Sequence, residues 1–227
     1  MKKACFWLYG ISAVLMIISV FVQLQQQTYS KLGYLVLALA VQLIGPVLVR
    51  LLRFNNAWGM LFWSQLFIAI AMIVGNTLNG YAILYFDKVL HFSSGVLVCS
   101  AVLLVYCWLA ERWSEPDQRR FVLKCLSLQG MNMMIAFLWE CFEFGCLIFL
   151  NIDAINHTTQ GVYDTMEDMI VCFLGGCLFL FLLWQHQRRQ KRNPLIGALQ
   201  DFYECNLCTT PVLTDQKTGE PKTDRTL

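Results

Sequence analysis

Six ionisable side chains, Asp87, His91, Glu140, Glu143, Asp164 and Asp168, lie in or beside strongly apolar stretches of the chain. They come in pairs three or four residues apart, so on helices each pair shares one face. A charge at the centre of a membrane helix costs roughly 2.5–3.5 kcal/mol on insertion scales. Five carboxylates and an imidazole gathered in such a place must be protonated, or neutralised by cations. Hard divalent ions favour carboxylate oxygens and an added His suits zinc, manganese or iron, so zinc, manganese, magnesium and iron are the candidate cofactors. Helical bundles that place Glu and Glu-x-x-His ligands on facing helices house one or two such ions. One ion can activate water for hydrolysis, and two can also clamp a phosphoester. On this reading all six residues are candidate metal ligands, Asp87 binding directly or orienting His91, and Glu140 or Glu143 is the candidate catalytic base.

Each pair also has a plainer reading. Asp164-Thr165-Met166-Glu167 has capping-box spacing, which would make Asp164 a helix cap. Asp87 could pair with Lys88 or cap its helix, His91 could be a hydrogen-bonded packing residue, and Glu140 and Glu143 could make interhelical hydrogen bonds. Glu167 does not share the Asp164/Asp168 face and stays outside the ligand set. The chain has no H-E-x-x-H helix, no Walker A loop and no G-x-S-x-G elbow. Ser93, Ser94 and Gly95 after His91 read as small residues that let helices approach closely.

The elements that must position these residues are membrane helices. With 57% hydrophobic and 14% charged residues and a mean hydropathy of +0.54, the chain is far more apolar than a soluble domain. Apolar windows at 5–24, 32–49, 57–74, 89–110, 121–150 and 169–184 each suit a hydrocarbon core about 30 Å thick. The first follows Lys2 and Lys3 but runs about twenty residues with no A-x-A-like site before Gln25, and is expected to be a retained helix. With six spans, fifteen of the seventeen Lys and Arg residues fall on one side and only Lys31 and Lys88 on the other. Positive residues mark the cytoplasmic side. The expectation is therefore an all-α, polytopic fold of six transmembrane helices with both termini cytoplasmic, and the six ionisable residues converge in the outer half.

The domain division expected is a transmembrane domain over 1–192 and a cytoplasmic, largely disordered tail over 193–227, with room for a short helix near 195–203. Asn76, Thr77, Asn79 and Gly80 interrupt an apolar pattern and suggest a re-entrant or interfacial segment. The basic run 186–192 is a stop-transfer flank rather than a nucleic-acid patch. Eight of ten cysteines fall in or at the ends of apolar stretches, where Cys acts as a small hydrophobe. The lone Cys205-Asn-Leu-Cys208 lacks the second pair a zinc knuckle needs.

At these positions the sequence resembles the YjdF-like bacterial inner-membrane proteins. The likeness rests on Asp87-Lys88-Val89-Leu90-His91-Phe92 with Gly95, on Glu140 and Glu143, and on Gly161, Tyr163-Asp164-Thr165 and Asp168, and runs from about the second span to the sixth. It implies a multi-pass plasma-membrane protein with a polar site at those residues, and carries no activity with it. Relatives often place Asp or Asn where this chain has Cys172.

Three functions are open at this point: a divalent-metal-dependent enzyme acting on a lipid or envelope precursor, a proton- or cation-coupled transporter, and a structural or partner-binding membrane protein. The expected partners are the lipid bilayer and a lipid or small-molecule substrate, with no nucleic acid; the sequence leaves the oligomeric state open. Against the carrier stands the lack of comparable charges in the inner halves of the spans.

Overall fold

A computed structural model describes residues 1–25, 32–152, 160–189 and 193–208. The expected polar turn at 26–31 with Lys31, residues 153–159, residues 190–192 and the tail from 209 onward lie outside the described residues. All regular structure among the described residues is helical: α1 (Lys2–Gln25), α2 (Leu32–Leu51), α3 (Trp58–Ile68), α4 (Phe86–Ala110), α5 (Gln118–Leu150), α6 (Val162–Arg188) and α7 (Pro194–Asn206). Six helices are long and apolar enough to cross a membrane, α3 reaching that length through the segment that follows it.

That segment, Ala69–Thr77, is wound as a π-helix. Its extra width is matched by polar side chains that bond back to the wider turn, Thr77 Oγ1 donating to Met72 O at 3.1 Å and Asn76 Nδ2 to Ala71 O at 3.4 Å. A short 3-10 turn at Gly80–Ala82 then leads into α4. The interruption expected from Asn76 to Gly80 is thus the frayed exit of the third span and a tight link to the fourth.

α4 and α6 pack closest, because glycines meet at their crossing. A β-carbon on Gly95 would collide with the Cys172 carbonyl, and one on Gly175 with the Phe92 carbonyl. α5 joins them through amides: Asn132 Nδ2 donates to Cys172 O at 3.2 Å, Cys172 Sγ donates to Asn132 Oδ1 at 3.5 Å, and Gln129 Nε2 donates to Phe173 O at 3.1 Å. Below this amide layer lies an apolar one of fully buried Cys99, Leu103, Leu128, Phe179 and Leu183. A second polar junction ties α1, α2 and α3, where Gln65 Nε2 donates to Gln42 Oε1 at 2.7 Å and to Ser12 Oγ at 3.4 Å.

At the far end, α7 starts with a capping side chain, Asn193 Oδ1 accepting from the Leu195 and Ile196 amides, and Pro194 in its first turn. It lays Ile196, Leu199, Phe202 and Tyr203 into the bundle core. Asn206 pins it to the α2–α3 turn by donating to Asn55 O at 2.7 Å while accepting from the Asn55 amide.

This end also holds Lys124, one of the fifteen basic residues that the sequence places on the cytoplasmic side. Lys124 is fully buried in α5, its ammonium donating to Trp113 O at 2.6 Å and lying 5.3 Å from the Tyr106 ring centre. The α4–α5 turn folds Trp113 over it, so the far halves of the spans do carry a buried ion. The apolar layer separates it from the acidic residues.

The glycine crossing is testable in detergent. Gly175→Val should lower the thermal midpoint by the equivalent of about 1–3 kcal/mol of overpacking. Gly130→Ala, where a β-carbon meets open space, should leave it unchanged within about 0.5 kcal/mol.

Candidate metal centre

The acidic pocket forms where α4 begins, α5 ends and α6 begins. Tyr85, in a left-handed conformation at φ 63°, turns the chain into α4 at Phe86. α4 thus starts three residues before the expected window, and Asp87 and Lys88 fall in its first turn. His91 follows one turn deeper. α5 is 33 residues long, about 50 Å at 1.5 Å per residue, and outruns the hydrocarbon.

All six expected residues come together, but not as one ligand set. Asp87, His91 and Asp168 place one ligand atom each within 4.8 Å of one another, and so do His91, Glu140 and Glu143. His91 is common to both groups. Its Nε2 lies 3.7 Å from Asp87 Oδ1 and 3.8 Å from Asp168 Oδ1. A neutral imidazole gives one nitrogen to a metal and keeps N–H on the other, so it completes one group while its second nitrogen faces a carboxylate.

Asp164 belongs to neither group, and a residue outside the expected set explains why. Lys88 Nζ donates to Asp164 Oδ1 at 2.6 Å, to Asp168 Oδ1 at 3.0 Å and to Asp164 O at 3.2 Å. Lys88 therefore reaches across to α6 rather than pairing with Asp87 beside it. Asp164 and Asp168 are each only 2% exposed. Asp164 is not a helix cap either: the N-cap of α6 is Gly161 at φ 62°, with no side-chain cap bond. Glu167 lies 3.8 Å from the same ammonium with its side chain 54% exposed, and so touches the rim of the site.

Glu140 is 6% exposed, and its Oε2 is buried with no hydrogen-bond partner among the described residues. The Thr165 hydroxyl lies within reach of the same carboxylate. Glu143 Oε1 accepts from Trp139 Nε1 at 2.8 Å. Tyr81, on the link into α4, stands edge-on to Phe86 with ring centres 5.4 Å apart. The residue as a whole is 45% exposed, yet desolvation of its phenol, then the Asp87 and Glu143 charges, push that group up to about 12, further into the range where it is protonated and able to donate. Thr165, Trp139 and Tyr81 lie outside the expected site, and Thr165 enters the sequence reading only as part of the capping-box run after Asp164. Cys205 and Cys208 are in neither of the metal-holding groups found among the described residues.

Over residues 5–189 the chain matches the model of a family described as predicted membrane protein (DUF2238). No curated protein and no solved structure matches it.

Because Lys88 is the cation that compensates two buried aspartates, Lys88→Met should destabilise the protein by about 3–5 kcal/mol. Adding Asp164→Asn to that variant should restore part of the loss. Equal thermal midpoints for wild type and Lys88→Met would show that the ion pair contributes nothing.

Proposed function

We propose that the chain, which belongs to this family of membrane proteins, binds a divalent metal ion in the acidic pocket and uses it on a lipid or envelope precursor. The observation that carries the reading is the orphaned oxygen of Glu140. A buried carboxylate oxygen without a donor is costly, and it belongs to a group that converges with Glu143 and His91 within ligating range. Glu140, Glu143 and His91 are the ligands, Asp168 and Asp87 flank the imidazole, and the His in the set favours zinc, manganese or iron over magnesium.

A bound ion would polarise a substrate oxygen and activate a water. The protein supplies the rest. Trp139 orients the Glu143 carboxylate as a ligand by its hydrogen bond, and Tyr81, on the link into α4, offers a protonated phenol near the acidic cluster. An amphiphilic substrate fits the surroundings: exposed Tyr85, Val89, Val162 and Tyr163 flank the charged rim of Asp87 and Glu167. The excess of Lys and Arg at the other end supports a pocket that opens to the outer face of a bacterial inner membrane with both termini cytoplasmic, the location that the likeness to the YjdF-like proteins also implies.

A carrier needs a polar path through the membrane. The layer of Cys99, Leu103, Leu128, Phe179 and Leu183 between the pocket and Lys124 disfavours one.

Elemental analysis of protein purified without chelator tests the metal. Wild type should retain zinc, manganese or iron, and the Glu140→Gln/Glu143→Gln variant should lose it; His91→Ala should weaken binding by at least about 100-fold. A metal-free wild type that takes up none on dialysis contradicts the reading. Proteoliposomes should show no metal or proton flux above empty vesicles, and a flux abolished by Glu140→Gln would move the assignment to a carrier.

A further inference from the structure

The two metal-holding groups suggest room for a pair of ions, yet the residues around them do not provide for two. Both groups depend on His91. Once its metal-binding nitrogen is committed to the Glu140–Glu143 side, Asp87 and Asp168 remain for any second ion, and Asp168 Oδ1 already accepts from Lys88 at 3.0 Å. The ammonium has three protons, and three acceptors on α6 lie within hydrogen-bonding distance: Asp164 Oδ1, Asp164 O and Asp168 Oδ1. It is held by Asp164 and Asp168, so the Asp168 oxygen that a second ion would need is already engaged by a fixed cation. The Oε2 of Glu140, in a residue 6% exposed, has no hydrogen-bond donor among the described residues and marks the other side of His91 as the one with a ligand oxygen to spare.

We infer that the centre is mononuclear, one divalent ion on His91, Glu140 and Glu143, with Lys88 serving as a built-in second cation that occupies the Asp164–Asp168 position. The inference rests on the metal-site reading above and narrows its chemistry. With one ion the reaction is a Lewis-acid and water-activation type, hydrolysis of an ester, amide or phosphoester at a single metal, rather than the two-metal displacement in which a pair of ions about 3.5–4 Å apart clamps attacking and leaving oxygens. Lys88 is a positioning residue here: with its protons directed at α6, it fixes Asp168 beside the imidazole rather than binding substrate.

The test is the metal content and magnetic state of the full chain in detergent, loaded with excess manganese and desalted. Wild type should hold one equivalent with the six-line resonance of an isolated manganese ion. Lys88→Met, which removes the ammonium from Asp164 and Asp168, should take up a second equivalent and show the broadened signal of two coupled ions, while Lys88→Arg, which keeps the charge, should stay at one. Two equivalents or a coupled signal in wild type overturns the inference and leaves the metal-site reading standing. One equivalent in folded Lys88→Met also overturns the role given to Lys88. No equivalents in wild type overturns the metal-site reading itself. If Lys88→Met does not fold, the wild-type spectrum and Lys88→Arg still decide between one ion and two.

Discussion

Two aspartates with almost no contact with water cannot persist as anions in an apolar bundle without a nearby positive charge, and the ammonium of Lys88 supplies it. At the effective dielectric of about 20 that suits partly buried pairs, unit charges about 4 Å apart attract by about 4 kcal/mol. Lys88 stands closer than that to both. The contact requires α4 and α6 to approach within reach of one lysine stem, which is what the facing Gly95 and Gly175 allow. The remainder of the pocket follows from this clamp. It fixes the start of α6, aims Asp168 at His91, and does not reach Glu140 and Glu143 of α5 among the ion pairs of the described residues.

The three helices that build the site are stratified along their length. Charged residues occupy one end, an amide and thiol layer of Asn132, Gln129 and Cys172 comes next, then an apolar layer, and finally Lys124 under Trp113 at the α7 end. The amide layer fits the place where a deeper ligand would otherwise sit. Cys172 bonds Asn132 there, one turn beyond Asp168, so those two side chains are engaged with each other.

Much of this was legible from residue order alone. The six apolar runs have the length a bilayer demands, and the pairs at spacing three and four fall on single helical faces wherever the helices begin. What one sequence could not reveal was which face each neighbour would meet. Asp87 and Lys88 read as a local pair, yet adjacent helical residues point apart, and Lys88 turned to α6 while Asp87 stayed near the imidazole. Lys124 looked like one more flank residue because nothing in its own segment announces that Trp113 folds over it. Asp164 has the spacing of a capping box, but the left-handed Gly161 starts the helix three residues earlier. In each case a tertiary contact overrode a local pattern.

X-ray absorption at the metal edge of the purified wild-type protein addresses the central claim most directly. The account predicts a first shell of nitrogen and oxygen at about 2.0–2.2 Å with the outer-shell scattering of one imidazole. A sulfur shell at about 2.3 Å would place the ion on cysteine instead, and an edge without imidazole scattering would remove His91 from the site; either result contradicts a metal held by His91, Glu140 and Glu143.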